Sequence, residues 1–318
     1  MRNRSLVLLS GEGITIPASE AKALFLGADP HSTFETPESR VLIADSEADP
    51  LVVGERIAFA RRVGYLLGSP SDAMAPLEGH RVRFRSFDLI PRKSQPDPGE
   101  YLEGVGAVVD LSEPDYELTL IRGQRDYLTL TAPSRMIQGW SRRRPRSRPF
   151  FHPSAIFPKL SRALVNLTRC KQGDVFLEPF AGTGSIALEA SLVGADVVAI
   201  DLADKMTHGA SSNMRHCAQN WLGVVRADSA QLPVRGVRAV ATDIPYGRAS
   251  STRGRPPELM LELLLPELAG AMVQGSFLVL MHPKGIALER AADFALEEEH
   301  DLHVHKLLTR TISVLKRR

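Results

Sequence analysis

The feature that most constrains this chain is the regular alternation of helical and short apolar patterns beyond residue 150. A helical pattern at Pro158–Arg169 leads in. Strand Val175–Glu178, helix Ser185–Val193 (stopped by Gly194), strand Asp196–Asp201 and a helix around Lys205–Gln219 follow. Strands Val224–Ala227 and Val237–Asp243, helix Glu258–Met272, strand Phe277–Met281 and helix Ile286–Phe294 continue the series. Parallel strands need a long crossover between them, so this alternation predicts an α/β, doubly wound parallel sheet with right-handed connections. The last two apolar runs, Leu302–Leu307 and Thr311–Lys316, are separated only by Leu308–Arg310. That gap is too short for a crossover and predicts an antiparallel hairpin.

The first half reads differently. Strand candidates are Ser5–Leu9, Arg40–Ala44, Arg81–Phe87, Ala107–Leu111, Glu117–Ile121 and Tyr127–Leu130. Pro17 opens a helical pattern with Ala21, Leu24, Phe25 and Ala28 on one face, and Val53–Leu67 reads as a second helix closed by Gly68 and Pro70. This predicts an α+β region. Between the two patterns, Trp140–Pro149 is W-S-R-R-R-P-R-S-R-P, which reads as an extended connector. The expected organisation is an N-terminal α+β region at 1–134, an Arg-rich linker at 135–150 and a doubly wound domain at 151–318.

Net charge is only +2, but its distribution is uneven. Between Asp126 and Asp174 lie 47 residues with no acid and ten basic side chains. Such segregation points to a polyanionic partner, with Arg142, Arg143, Arg144, Arg146 and Arg148 as candidate nucleic-acid contacts. Trp140 and Phe150 could stack or pack near them. Arg81, Arg83 and Arg85 share one face of a strand, which suits either a second contact or a solvated face. Apolar residues at 43% and charged residues at 24% exclude a disordered or collagen-like chain. No apolar run is long enough for a membrane span, and the opening run of four is too short for a secretory segment. Cys170 and Cys217 make neither a disulfide framework nor a C-x-x-C knuckle, and His303 and His305, which share one face of a strand with His300 nearby, have no third ligand at metal spacing. The expectation is a reduced, cytoplasmic protein without membrane or metal.

The stretch F-L-E-P-F-A-G-T-G-S, Phe176–Ser185, follows a strand and opens a helix. Phe180, Gly182, Thr183 and Gly184 form a turn that lets backbone approach a ligand at a helix N-terminus. Asp201 ends the next strand at the spacing where a carboxylate reaches ribose hydroxyls; Asp228 and Ser229 follow the strand after it. Glu178 heads the loop. An acid there repels pyrophosphate but suits a cofactor with an amino or sulfonium cation, which favours S-adenosylmethionine.

The next strand ends in T-D-I-P-Y-G-R, Thr242–Arg248. An exocyclic base amine is a poor nucleophile because its lone pair is delocalised into the ring. Asp243 and the backbone carbonyl of Ile244 can accept its two N–H bonds and draw the lone pair out of conjugation. Pro245 stiffens the turn, and Tyr246 offers a surface for the flat base.

E-P-F-A-G-T-G and D-I-P-Y-G-R resemble the cofactor and catalytic motifs of amino-directed, S-adenosylmethionine-dependent methyltransferases. His152–Leu167, H-P-S-A-I-F-P-K-L-S-R-A-L-V-N-L, resembles the lead-in helix of the archaeal tRNA guanosine-10 N2-methyltransferases. Val109–Leu120 and the opening L-L-S-G-E resemble the THUMP RNA-binding domain of that family. The resemblance implies a tRNA substrate, methylated on guanosine N2 at position 10 to the mono- or dimethyl product. It leaves open a small activating subunit, which eukaryotic relatives use. The alternatives are an amino-methyltransferase acting on another RNA base or on rRNA, and a non-catalytic tRNA-binding protein with a relic cofactor site. Two positions depart from the family pattern: Ile244 replaces a usual proline, which predicts a looser turn, and Glu178 replaces a usual aspartate.

Overall fold

The computed structural model describes residues 2–12, 15–68, 77–102, 107–131, 133, 139–218, 221–246, 255–286, 288, 292–305 and 308–318. The chain divides into two units: Met1–Gly13 with Leu24–Gln138, and Ile14–Ala23 with Gly139–Arg318. The start of the first helix, α1 (Ile16–Ala28), therefore groups with the second unit.

The first unit holds β1 (Asn3–Leu9), β2 (Thr33–Glu38), β3 (Val41–Ser46), α2 (Pro50–Arg56), β4 (Ala60–Leu67), β5 (Arg81–Asp88), α3 (Gly99–Leu102), β6 (Val108–Val109), β7 (Tyr116–Arg122) and β8 (Asp126–Thr131). They form one eight-stranded sheet in the order β2-β3-β1-β4-β8-β7-β5-β6. All pairs are antiparallel except β5 with β7 and β5 with β6. The expected second helix, Val53–Leu67, is a correction. Asp49 caps α2 by accepting the Leu51 amide at 2.8 Å, Pro50 starts it, and at Ile57 the backbone turns extended. Ala60–Leu67 then pairs with both β1 and β8, so ladder formation overrides the helical propensity of its Arg and Leu residues. The expected strands at Arg81, Glu117 and Tyr127 are present, while β2, polar and at the sheet edge, had no apolar alternation to reveal it.

The second unit holds α4 (Pro158–Leu167), β9 (Val175–Glu178), α5 (Ser185–Leu192), β10 (Asp196–Asp201), α6 (Asp204–Cys217), β11 (Gly223–Arg226), β12 (Val237–Asp243), α7 (Pro257–Ala271), β13 (Met272–Pro283), β14 (Phe294–His305) and β15 (Leu308–Arg317). Its seven strands run β11-β10-β9-β12-β13-β15-β14. The first five are mutually parallel, as the alternation predicted. The expected hairpin forms, but β15 inserts antiparallel between β13 and β14. Of the expected helix Ile286–Phe294, residues 287 and 289–291 lie outside the described residues, 292–293 form a turn, and Phe294 begins β14. Leu264, Leu268 and Leu265 of α7 pack on Val240, Leu278 and Leu280 to form the core behind the strand ends. Among the described residues no helix is long and apolar enough to cross a membrane.

The connector expectation is also corrected. Gly139–Phe150 belongs to the second unit and is held there by specific partners. Fully buried Glu189 of α5 accepts Arg143 Nε at 2.8 Å and Arg162 Nη2 at 2.8 Å. Arg148 donates to Ser185 Oγ at 2.7 Å and to the Arg143 carbonyl at 2.8 Å. Buried Asn213 of α6 accepts the Phe150 amide and donates to the carbonyls of Phe150 and Thr183.

Candidate active site

A cavity opens at the carboxyl ends of β9, β10 and β12, where open α/β sheets take ligands. Glu178, Phe180, Gly182, Thr183, Asp201, Asp228, Ser229, Asp243, Ile244, Pro245 and Tyr246 all line it, so nearly every residue singled out from the motifs comes together. Gly184 is the exception: at φ 74° it faces α6, where an added Cβ would stand 3.3 Å from Ala210 Cβ. It lets two helices approach rather than meeting a ligand. Gly182, at φ 52°, would project a Cβ into open space, so its freedom is needed for the turn itself.

Glu178 ends β9 and is 2% exposed. Its Oε2 accepts the Ala187 amide at 2.7 Å, at the N-terminal turn of α5. Burial raises this carboxyl well above the ordinary range, against the lowering effect of the Ala187 and Ile186 amides. Asp201 closes the turn from the other side: its Oδ2 accepts the Gly182 amide at 2.8 Å and its Oδ1 the Ala203 amide at 2.8 Å. Burial raises its pKa too, and those amides lower it. The carboxylate has about four lone-pair sites, more than these backbone amides fill, so it retains acceptor capacity for a ligand hydroxyl. Asp228 accepts the Ala230 amide at 3.1 Å and pairs with Arg255 at 3.1 Å.

Leu202 and Met206 give this end of the cavity an apolar wall. A carboxylate for a cation, a carboxylate for hydroxyls and an apolar wall for a flat ring fit an adenosyl cofactor bearing a sulfonium. Among the described residues no cluster of three His, Cys, Asp or Glu could hold a metal ion.

At the far end, Asp243 is 18% exposed. Its Oδ2 accepts Arg310 Nη1 at 2.9 Å, while its buried Oδ1 has no hydrogen-bond partner among the described residues. Burial pushes its pKa up to about 6, against the lowering effect of Arg310. The same guanidinium donates from Nε to the Tyr246 hydroxyl at 2.7 Å and lies 4.9 Å from the Tyr246 ring centre. Ile244 answers the question of its missing proline. Its side chain is fully buried, and its amide donates to the Met281 carbonyl at 2.8 Å, a bond a proline could not make. The turn is thereby pinned to β13, which corrects the expected looseness. Gly247 and Arg248 lie outside the described residues.

Sequence reasoning missed Arg310 and Arg255. Arg310 stands opposite Pro283 at the start of β15. Because β15 runs antiparallel, its start lies beside the carboxyl ends of the parallel strands. Only the strand order reveals this.

The five linker arginines divide. Arg142, Arg144 and Arg146 are exposed, with Arg146 over the Phe151 ring. Arg143 and Arg148 turn into the protein as described, Arg143 onto Glu189 and Arg148 onto Ser185 and the Arg143 carbonyl, which places them less well for nucleic-acid contact than the three exposed arginines. Trp140 lies under Arg143 at 4.8 Å. In the first unit, Arg81 pairs with Asp115 at 3.0 Å, and fully buried Glu117 faces Arg62, Arg83 and Arg85 together. Three guanidinium groups around one carboxylate leave a positive excess there.

Comparison with known proteins agrees with this geometry. Residues 145–312 match the family described as RMKL-like, methyltransferase domain. The chain is 31% identical to the tRNA (guanine(10)-N2)-dimethyltransferase of Methanothermobacter thermautotrophicus, over 98% of this chain and 99% of that one. It is 31% identical to the tRNA (guanine(6)-N2)-methyltransferase of Thermus thermophilus, over 59% of this chain and 54% of that one. The crystal structure of TrmN from Thermus thermophilus shares the fold at TM-score 0.54 and 18% identity, covering 99% of this chain and 100% of that one. The chain belongs to the archaeal tRNA guanosine-10 N2-methyltransferase family.

Proposed function

We propose that this protein transfers a methyl group from S-adenosylmethionine to the N2 amine of a guanosine in tRNA, at position 10, giving the mono- and dimethyl products. The observation that carries this reading is Asp243 at the head of a cavity whose other end offers Glu178 and Asp201, its buried Oδ1 without a hydrogen-bond partner among the described residues. S-adenosylmethionine, when bound, would supply an electrophilic methyl on a sulfonium. Glu178 would hold its positive amino group, Asp201 its ribose hydroxyls, and Asp228 with Ser229 its adenine. Phe180, Gly182 and Thr183 shape the loop between them.

The target guanine must leave its stack to enter. Asp243 Oδ1 accepts one N2–H and the Ile244 carbonyl the other, which draws the nitrogen lone pair out of conjugation with the ring. Asp243 then takes the displaced proton at Oδ1. Pro245 holds the turn and Tyr246 stacks on the base.

The first unit, with its THUMP-like strands, holds the tRNA through its arginine-rich face; exposed Arg142, Arg144 and Arg146 add phosphate contacts. Residues 1–134 and 151–318 carry these two tasks. The free cysteines Cys170 and Cys217 suit a reducing, cytoplasmic setting.

The test is mass spectrometry of tRNA nucleosides after incubation with purified protein and S-adenosylmethionine. N2-methylated guanosine that disappears in Asp243→Ala, with tRNA binding retained, supports the reading. A different methylated nucleoside, or unchanged turnover in that variant, overturns it.

A further inference from the structure

We propose that Arg310 is a positioning residue for the methyl transfer: its one guanidinium holds Asp243 with Oδ1 turned free for the substrate amine and holds Tyr246 by its hydroxyl. This deepens the proposed function and rests on it. Nη1 reaches Asp243 Oδ2 at 2.9 Å and Nε reaches the Tyr246 hydroxyl at 2.7 Å. A planar fork donates in both directions at fixed geometry, which a lysine ammonium cannot do. With Oδ2 engaged, the rotation of the carboxylate is restricted, and one oxygen is left as the acceptor.

Arg310 side chain is itself only 18% exposed and also touches Met281 Sδ at 3.8 Å, so the fork is held from β13 as well. Arg310 also keeps charge on Asp243. Burial alone favours the neutral acid, which is a weaker acceptor and cannot take the displaced proton, and the guanidinium opposes that. Around Asp243, the charged groups among the described residues are Arg310 from β15 and Glu178 from β9; Asp201, Asp228 and Arg255 share the cavity. Glu178 is an acid, so it adds no stabilisation of the Asp243 carboxylate.

The test is the pH profile of N2-methylguanosine formation for wild type, Arg310→Met and Arg310→Lys, with S-adenosylmethionine binding measured by calorimetry. In Arg310→Met the acid limb of kcat moves upward by about one pH unit or more, as expected for loss of an adjacent opposite charge, while cofactor affinity stays within a few-fold. In Arg310→Lys the limb returns toward wild type but kcat stays reduced, because charge is restored and the two-way hold is not. An unshifted limb in a Met variant that binds cofactor overturns the proposal, and so does a Lys variant with full kcat, which decides the matter if the Met variant fails to fold. Wild-type protein that makes no N2-methylguanosine overturns the proposed function and this inference together; an unshifted variant beside an active wild type overturns this inference alone.

Discussion

Glu178 Oε2 accepts the amide of Ala187 at 2.7 Å, so the acid that faces the cofactor pocket also caps the helix that follows the loop. One carboxylate thus links strand end, helix start and ligand. Its charge and its hydrogen bond can be separated. Glu178→Gln keeps an acceptor for the amide but removes the negative charge. We expect apo stability to change little and S-adenosylmethionine affinity to fall by roughly 10- to 100-fold, the worth of a charge-assisted bond. Calorimetric titration beside a thermal melt checks both halves.

Asp243 imposes a pH limit. It must be ionised to accept the substrate amine, and burial has raised its pKa to about 6. Turnover should therefore fall about tenfold per pH unit below roughly 6 and level off above it. The linked effect on stability has the opposite direction. The folded chain holds this proton more tightly than the unfolded chain, so Asp243 favours folding most below about 4, and that contribution fades as pH rises through about 6. A kcat profile between about pH 5 and 8, at saturating tRNA, tests the first expectation.

Glu189 neutralises two arginines, Arg143 and Arg162, from a fully buried position. Glu189→Ala leaves both guanidinium groups unpaired at low exposure. The expected loss is about 3–5 kcal/mol, read from urea unfolding. An intact denaturation midpoint would show that the 139–150 segment docks by other means.

The linker arginines should separate by class. Replacing Arg142, Arg144 and Arg146 together with serine should weaken tRNA binding and flatten its salt dependence by about three units or fewer of log slope, with the melting temperature unchanged. Arg148→Ala should instead lower the melting temperature, because this buried side chain ties the linker to Ser185. Filter binding at several salt concentrations and a thermal melt separate the two.

Ile244→Pro restores the residue common in the resembling family but removes the bond to the Met281 carbonyl and a buried side chain. We expect a loss of about 2–4 kcal/mol in stability, from the hydrogen bond and the vacated core together. Equal or higher stability would mean that the turn is held without that bond.

The parallel half of the fold was readable because β9, β10 and β12 are short, mainly apolar runs, each ending on an acid, and helices α5 and α6 follow the first two. Glu178, Asp201 and Asp243 could therefore be aligned from spacing alone. Arg310 could not, since it is separated from Tyr246 by 64 positions and no periodicity joins them. The Val53–Leu67 misreading has a related cause: Arg61, Arg62, Leu66 and Leu67 suit a helix locally, and only pairing with β1 and β8 makes them a strand. Likewise, the 140–149 segment reads as an extended connector because the partner of Arg143, Glu189, sits on a later helix. Contacts distant in the chain decided each case.

The insertion of β15 also bears on synthesis. β14 is translated first, yet its sheet partner is β15, which lies between it and β13. Among the described strands β14 pairs with β15, so it has no sheet partner until β15, which carries Arg310, has followed it. The cofactor loop, the capped helix and Asp243 can assemble earlier in translation. The contacts of Arg310 with Asp243 and Tyr246 therefore form only after β15 has followed β14 into the sheet.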